Sequence, residues 1–236
     1  LLRNVGRRLA ELHGALADPQ MPAPEAPAAA ATRWHARGMA ALRRALETAG
    51  ARACDAATAA RLADMAALAQ RDGSLDAALA ARLADPLALA RIHGRCDLGH
   101  VLVTAGDAVF VGALGGLPGE DGDARNSVWR DVADLVASVE TALAGLAAGE
   151  AAAAPEAPAL RTELADAFRA RAERAIVGAY AERVPAAPGR ALLDVFLLEA
   201  LARAIPAARP EALGALVAGL SRQARRLTRS AEGEAD

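Results

Sequence analysis

Leu2, Val5, Leu9, Leu12 and Leu16 recur in steps of three and four residues, which gathers them on one face of a helix and turns Arg3, Arg7, Arg8 and Glu11 elsewhere. That helix ends near Asp18-Pro19. Similar spacing predicts helices over 34–47, 56–69 and 74–83, the last with Ser74 as an N-cap ahead of Asp76. The middle of the chain changes period. Residues 101–104 and 108–111 are β-rich runs flanking Ala105-Gly106-Asp107, and they predict a short hairpin. Val128, Trp129, Val132, Leu135, Val136, Val139 and Leu143 then mark a long helix. Three more helical segments follow over 160–180, 191–205 and 211–227, broken by Pro185, Pro188, Pro206 and Pro210. Alanine- and proline-rich tracts near 19–31 and 149–158 lack periodicity and read as flexible loops within a single domain over 1–236. Both contain Pro-Glu-Ala-Pro, a compositional echo too short to define a repeat. The expected fold class is mainly α with one small β-hairpin, an α+β arrangement dominated by helix.

Composition narrows the chemistry. Alanine supplies 68 of the 236 residues, so helix is favoured while each helix contact stays shallow. All 27 basic side chains are arginine, with no lysine anywhere. A Walker-type phosphate loop and Schiff-base catalysis therefore have no residue to work with in this chain. With 29 acidic side chains the formal charge is -2, which argues against nucleic-acid binding. The densest basic run, Arg222 to Arg229, reads as a solvated helix end, and the Arg7-Arg8, Arg43-Arg44 and Arg225-Arg226 pairs as solvated faces. Cys54 and Cys96 are too few for a disulfide framework, and no segment is long and apolar enough for a membrane span or a signal sequence, so a cytoplasmic protein is expected. Trp34 and Trp129 fall in apolar helical stripes and read as core. Arg130-Asp131 reads as a charged first helical turn capped by Asn126 or Ser127.

Chemical character concentrates in the loop before the hairpin, His93-Gly94-Arg95-Cys96-Asp97-Leu98-Gly99-His100-Val101-Leu102. This run resembles the catalytic loop His-Gly-Asp-x-His-Leu-Gly-Gln-Val-Leu of bacterial maltokinases, members of the aminoglycoside phosphotransferase-like kinase superfamily. Three other segments agree in order: Gly6 to His13 with the family's Gly-Arg-Arg-Thr-Ala-Glu-Leu-His helix, Arg130 to Ala133 with its Arg-Asp-Val-Ala helix start, and Leu192 to Glu199 with its Leu-Leu-Asp-x-Phe-Leu-Leu-Glu segment. The resemblance implies the helical C-terminal lobe of a kinase-like fold, with the strand-rich lobe that carries the nucleotide lysine lying upstream of Leu1. It also implies ATP-dependent phosphorylation of maltose to maltose 1-phosphate, with a loop aspartate as base and magnesium held by an amide five residues on and by an aspartate after the next strand.

The sequence departs from that pattern at all three positions. Arg95 stands where the base belongs, and a guanidinium stays protonated at physiological pH. His100 stands at the amide position, and Gly112 where the second metal carboxylate belongs. Magnesium requires hard oxygen ligands, which neither supplies. Losing a base costs about 10²- to 10⁴-fold, and losing the metal clamp costs more. Asp97, two residues after Arg95, is the one candidate for a displaced base.

Other readings of the same region are blander. His93, Cys96 and His100, with Cys54, offer ligands of a type that suits zinc, but the spacing is not that of a finger, and buried structural roles are expected. Glycines at 112, 115, 116, 119 and 122 read as a flexible connection, and Glu120, Asp121 and Asp123 as a solvated turn. The resulting expectation is a catalytically degenerate, pseudokinase-type module that acts structurally or by interaction. No cofactor is expected. The partners implied are a trehalose synthase domain of amylase fold or an N-terminal lobe, without nucleic acid or membrane. The alternative is a fragment of an active maltokinase that needs the upstream lobe, in which case ATP and Mg2+ would be its cofactors.

Overall fold

Helix forms wherever the apolar stripe recurs, and the computed structural model describes residues 1–17, 27–52, 55–70, 74–84, 89–112, 125–153, 158–184 and 190–233. Along these residues run α1 (Leu2–Leu16), α2 (Pro27–Arg52), α3 (Ala56–Gln70), α4 (Ser74–Leu83), β1 (Ala90–Arg91), β2 (Val101–Thr104), β3 (Asp107–Phe110), β4 (Arg125–Asn126), α5 (Val128–Ala153), α6 (Pro158–Arg183), α7 (Leu192–Ala204) and α8 (Pro210–Gly233).

The core is organised around α7. Every residue from Leu192 to Ala202 is buried, so this helix is apolar nearly all round and is enclosed by α2, α5 and α8. Trp34 of α2 meets Phe196 of α7 edge to face, with ring centroids 5.1 Å apart, and Trp129 of α5 meets Tyr180 of α6 at 5.3 Å. Both tryptophans are core residues. Small residues set the closest approaches: α1 lies so near α6 that a Cβ at Gly6 would collide with the Ile176 carbonyl oxygen.

The strands form two small antiparallel ladders. β2 and β3 pair with Val101 opposite Phe110 and Thr104 opposite Asp107. The turn between them holds Gly106 at φ +88°, and a two-residue turn of this kind needs positive φ, which glycine adopts without strain. The register starts the second strand at Asp107, one residue earlier than composition indicates, and Val111 leaves it. The second ladder, β1 with β4, pairs Ala90 with Asn126 and Arg91 with Arg125. Two-residue strands carry no period, so the sequence gives no sign of them.

Several sequence readings change. α2 begins at Pro27, a residue preorganised for a first helical turn, so the last part of the 19–31 tract is helical. α5 continues to Ala153 and α6 starts at Pro158, which makes 149–153 helix as well. Residues 19–26 and 154–157 lie outside the described residues. Ser74 is the first residue of α4, and its hydroxyl donates to the Leu68 carbonyl at 3.2 Å, tying α4 to α3. The arginines of α8 do more than face solvent: Arg222 pairs with Glu140, Arg225 with Asp64 at 2.6 Å, and Arg226 with Glu173 at 2.8 Å and Asp194 at 3.2 Å. Arg8 likewise reaches Asp107 at the hairpin turn, while Asn4 Nδ2 donates to the Gly106 carbonyl at 2.6 Å. The Arg8 hydrogen bond holds the Asp107 carboxyl down at about 2.

Candidate functional site

The loop from His93 to His100 is braced from below by α5. Asp131, fully buried in the first turn of that helix, accepts the His93 backbone N–H at 2.6 Å and the Gly94 N–H at 2.9 Å. Its Oδ2 also accepts from His13 Nε2 of α1 at 2.9 Å, which leaves His13 Nδ1 to accept the Tyr180 hydroxyl at 2.9 Å. Burial, with the Asp131 charge behind it, pushes the Tyr180 phenol up and keeps it a donor. The first-turn reading of Arg130-Asp131 holds, with Asp131 in the first turn of α5, and the structure adds that both side chains are buried. Ser127 caps the helix, accepting the Trp129 N–H at 3.3 Å. The guanidinium of Arg130 donates to Glu199 at 2.9 Å and to Asn126 at 3.1 Å, and lies 4.4 Å from the centre of the Phe196 ring. Burial alone would raise the Glu199 carboxyl, but the charge and hydrogen bond of Arg130 outweigh it and the net displacement is downward. His13 and Tyr180 are the supports that sequence reasoning missed. An i, i+4 stripe of the form Val5, Leu9, His13 was the available signal.

Upon this brace the loop residues diverge. His93 is buried, with Nε2 3.3 Å from the Val111 carbonyl and Nδ1 without a hydrogen-bond partner. Gly94 turns the chain at φ +80°. Arg95 points out and is exposed. Cys96 is buried, and burial, reinforced by the Asp131, Asp134 and Asp97 charges, pushes its thiol up and away from reactivity. The Asp97 Oδ1 accepts the Gly99 N–H at 2.8 Å and the His100 Nδ1–H at 2.9 Å, so this carboxylate caps the 3-10 turn Leu98–His100.

The structure brings His100 and Gly112 together. A Cβ at Gly112 would sit 3.0 Å from His100 Cδ2 and 3.8 Å from His93 Nε2, and the Val111 N–H donates to the His100 carbonyl at 2.9 Å. Positions 112 and 100 are thus neighbours in the fold. The donors do not fit magnesium, since one position offers an imidazole already committed to Asp97 and the other offers no side chain. Among the described residues no three His, Cys, Asp or Glu side chains converge on one metal position. Cys54, Glu120, Asp121, Asp123 and the glycines at 115, 116, 119 and 122 lie outside the described residues.

Beside the loop opens a cleft of about 600 Å³ between it, α5 and α7. Arg95 and Asp97 line its rim, with Asp134, Ser138 and Thr141 of α5 and Arg203 of α7 on its walls. Asp134 and Arg203 are hydrogen-bonded at 2.5 Å. Burial raises the Asp134 carboxyl to about 6 in spite of that partner. The cleft has the volume of a small-molecule site.

Neither a family model nor a curated protein sequence matches the chain. Solved structures do. A glucosamine kinase in one crystal form matches with a TM-score of 0.70 and 22% identity, covering 97% of this chain and 52% of that one. A glucosamine kinase in complex with glucosamine, ADP and inorganic phosphate gives 0.67 and 21%, with coverage of 98% and 50%. A further crystal form of glucosamine kinase gives 0.63 and 23%, with coverage of 97% and 52%. The fold is sugar-kinase-like. The chain spans about half the length of these kinases. At this level of identity the likeness extends to the fold alone. Among the described residues no helix is long and apolar enough to cross a membrane.

Proposed function

We propose that this chain is a kinase-like C-terminal lobe whose catalytic loop has lost phosphoryl transfer, and that it serves as a structural or interaction module of pseudokinase type. One observation carries the reading: the loop is held in place by Asp131, yet the residue that follows His93 and Gly94 is Arg95, a permanent cation where the reaction requires a proton acceptor. The pairing of His100 with Gly112 supports the same reading for the metal. Asp97 is the only carboxylate of the loop, and its Oδ1 is already shared by two donors. The motif resemblance names maltose as the ancestral acceptor and a trehalose synthase domain as the associated partner, while the structural likeness to glucosamine kinases widens the acceptor class to hexoses and their disaccharides.

The test is calorimetry of the chain with magnesium-ATP, together with a labelled-ATP assay for transfer to maltose and to glucosamine. We expect no saturable nucleotide binding and no sugar phosphate above background. Magnesium-dependent formation of either sugar phosphate, abolished in Asp97→Ala, would overturn the proposal.

A second reading, part of an active sugar kinase completed by a nucleotide-binding lobe, draws on the roughly twofold greater length of the glucosamine kinases. It predicts magnesium-dependent sugar phosphorylation once a strand-rich lobe is present on the same or a neighbouring chain. The module reading predicts no such rate.

A further inference from the structure

α6 turns one face inward, where Ala172, Ile176, Val177, Ala179 and Tyr180 are buried, and packs there against α1 and α5. Its outward face is not uniformly polar. Leu160, Leu164 and Phe168 follow one another at four-residue steps, which stacks them along that face, and all three are exposed. Beside them runs a groove of about 480 Å³ between α5 and α6, lined by Leu143, Leu146, Leu164 and Phe168. Leu146 is itself 60% exposed. Four of the eight large apolar side chains exposed among the described residues are therefore gathered in one place. A lone exposed leucine needs no explanation, whereas a contiguous apolar patch marks a surface that another body covers. Residues 147–159, which join the two sides of the patch, carry no large apolar side chain in their sequence.

Charge on the same face says what that body is. Glu163 lies near the start of α6 and Arg174 eleven residues on, about 16 Å along the axis. Both are exposed, and neither has a partner among the described residues. They are too far apart to meet within one helix, but they match across two. When a second α6 lies antiparallel to the first, Glu163 of one copy comes opposite Arg174 of the other, and two-fold symmetry makes the pair twice. This register puts the axis between Phe168 and Arg169, so the two Phe168 rings come together at the centre. Leu164 then falls between Arg171 and Ala175 of the second copy, and Leu160 beside its Gly178. Ala175 and Gly178 are only partly buried, and a Cβ at Gly178 would meet nothing within 4 Å, so the small half of the face has room for the large half.

We infer that the outward face of α6, with the groove beside it, is a dimerisation surface at which two copies of this chain pair antiparallel. Covering Leu160, Leu164 and Phe168 supplies the attraction. The Glu163 and Arg174 pairs select the orientation, because the parallel alternative sets glutamate against glutamate and arginine against arginine. The inference stands apart from the chemistry of the loop, and it is read as a mass rather than as a product.

The test is sedimentation equilibrium of the whole chain from about 1 to about 200 μM, at an ionic strength of about 0.1 M. We expect a monomer–dimer equilibrium with Kd at or below about 50 μM. The Leu164→Glu, Phe168→Glu double variant should weaken it by about tenfold or more, with helical circular dichroism and Tm unchanged because both side chains are exposed. Glu163→Arg should weaken it by a like factor, and adding Arg174→Glu to the same chain should restore Kd to within about threefold of the parent, a rescue that a merely solvated face would not show. Leu102→Glu, on the exposed hairpin, should leave Kd unchanged. A chain that stays monomeric to about 200 μM, an equal Kd in the Leu164 and Phe168 variant, a second charge swap that fails to restore the dimer, or dissociation by Leu102→Glu would each overturn the assignment.

Discussion

Asp131 of α5 accepts the backbone N–H of His93 at 2.6 Å, and through that one carboxylate the helix beneath the loop fixes where the loop's chemistry would be presented. The same side chain takes the Gly94 N–H and His13, so three elements of the chain, α1, the loop and α5, meet at a single buried charge. The brace is complete, and Arg95, which follows it, is exposed and takes no part in it.

Replacing Asp131 by alanine would leave two loop N–H groups and a histidine without an acceptor in the interior. We expect a loss of roughly 3–5 kcal/mol in urea unfolding, with faster hydrogen exchange at Gly94. A loss below about 1 kcal/mol would mean that the loop holds its position without α5.

Asp134 gives the protein a pH dependence of defined sign. Its folded-state value near 6 lies above the ordinary 3.8, so between those values the folded protein binds more protons than the unfolded chain. Stability from this group therefore falls as pH rises from about 4 to about 6, by at most roughly 3 kcal/mol. Asp107 acts in the opposite sense, its lowered value supplying stability above 3.8 that is lost as pH falls toward 2. Measured across pH 4 to 7, Asp134→Asn should gain stability relative to the parent as pH rises. A constant difference across that window would refute a raised value at Asp134.

Three glycines differ in how much a side chain there would cost. Gly6→Ala should destabilise by about 1–3 kcal/mol, because its Cβ meets the Ile176 backbone and α1 must shift, whereas Gly14→Ala, with nothing near its Cβ, should be neutral or stabilising by up to about 1 kcal/mol. Gly112→Asp, which would place a carboxylate where the motif resemblance has a metal ligand, meets φ +114° and the His100 ring, and should cost about 1–2 kcal/mol. Thermal and urea unfolding of the three variants check these values.

The helices, the hairpin and the burial of both tryptophans were legible in the sequence, because apolar periodicity is a local property and each of these elements answers to it. So was the inability of Arg95 to accept a proton, since a guanidinium's charge does not depend on its surroundings. The tertiary fold decided what local pattern cannot. Arg130 and Asp131, which read as a charged first turn, are in addition a buried ion partner and a three-way brace, because α1, α7 and the loop close over them from distant parts of the chain. His100 and Gly112 became neighbours only through the return of β3. Periodicity specifies which face of a helix turns inward. What that face meets depends on long-range packing, and there the charges of this protein acquired their partners.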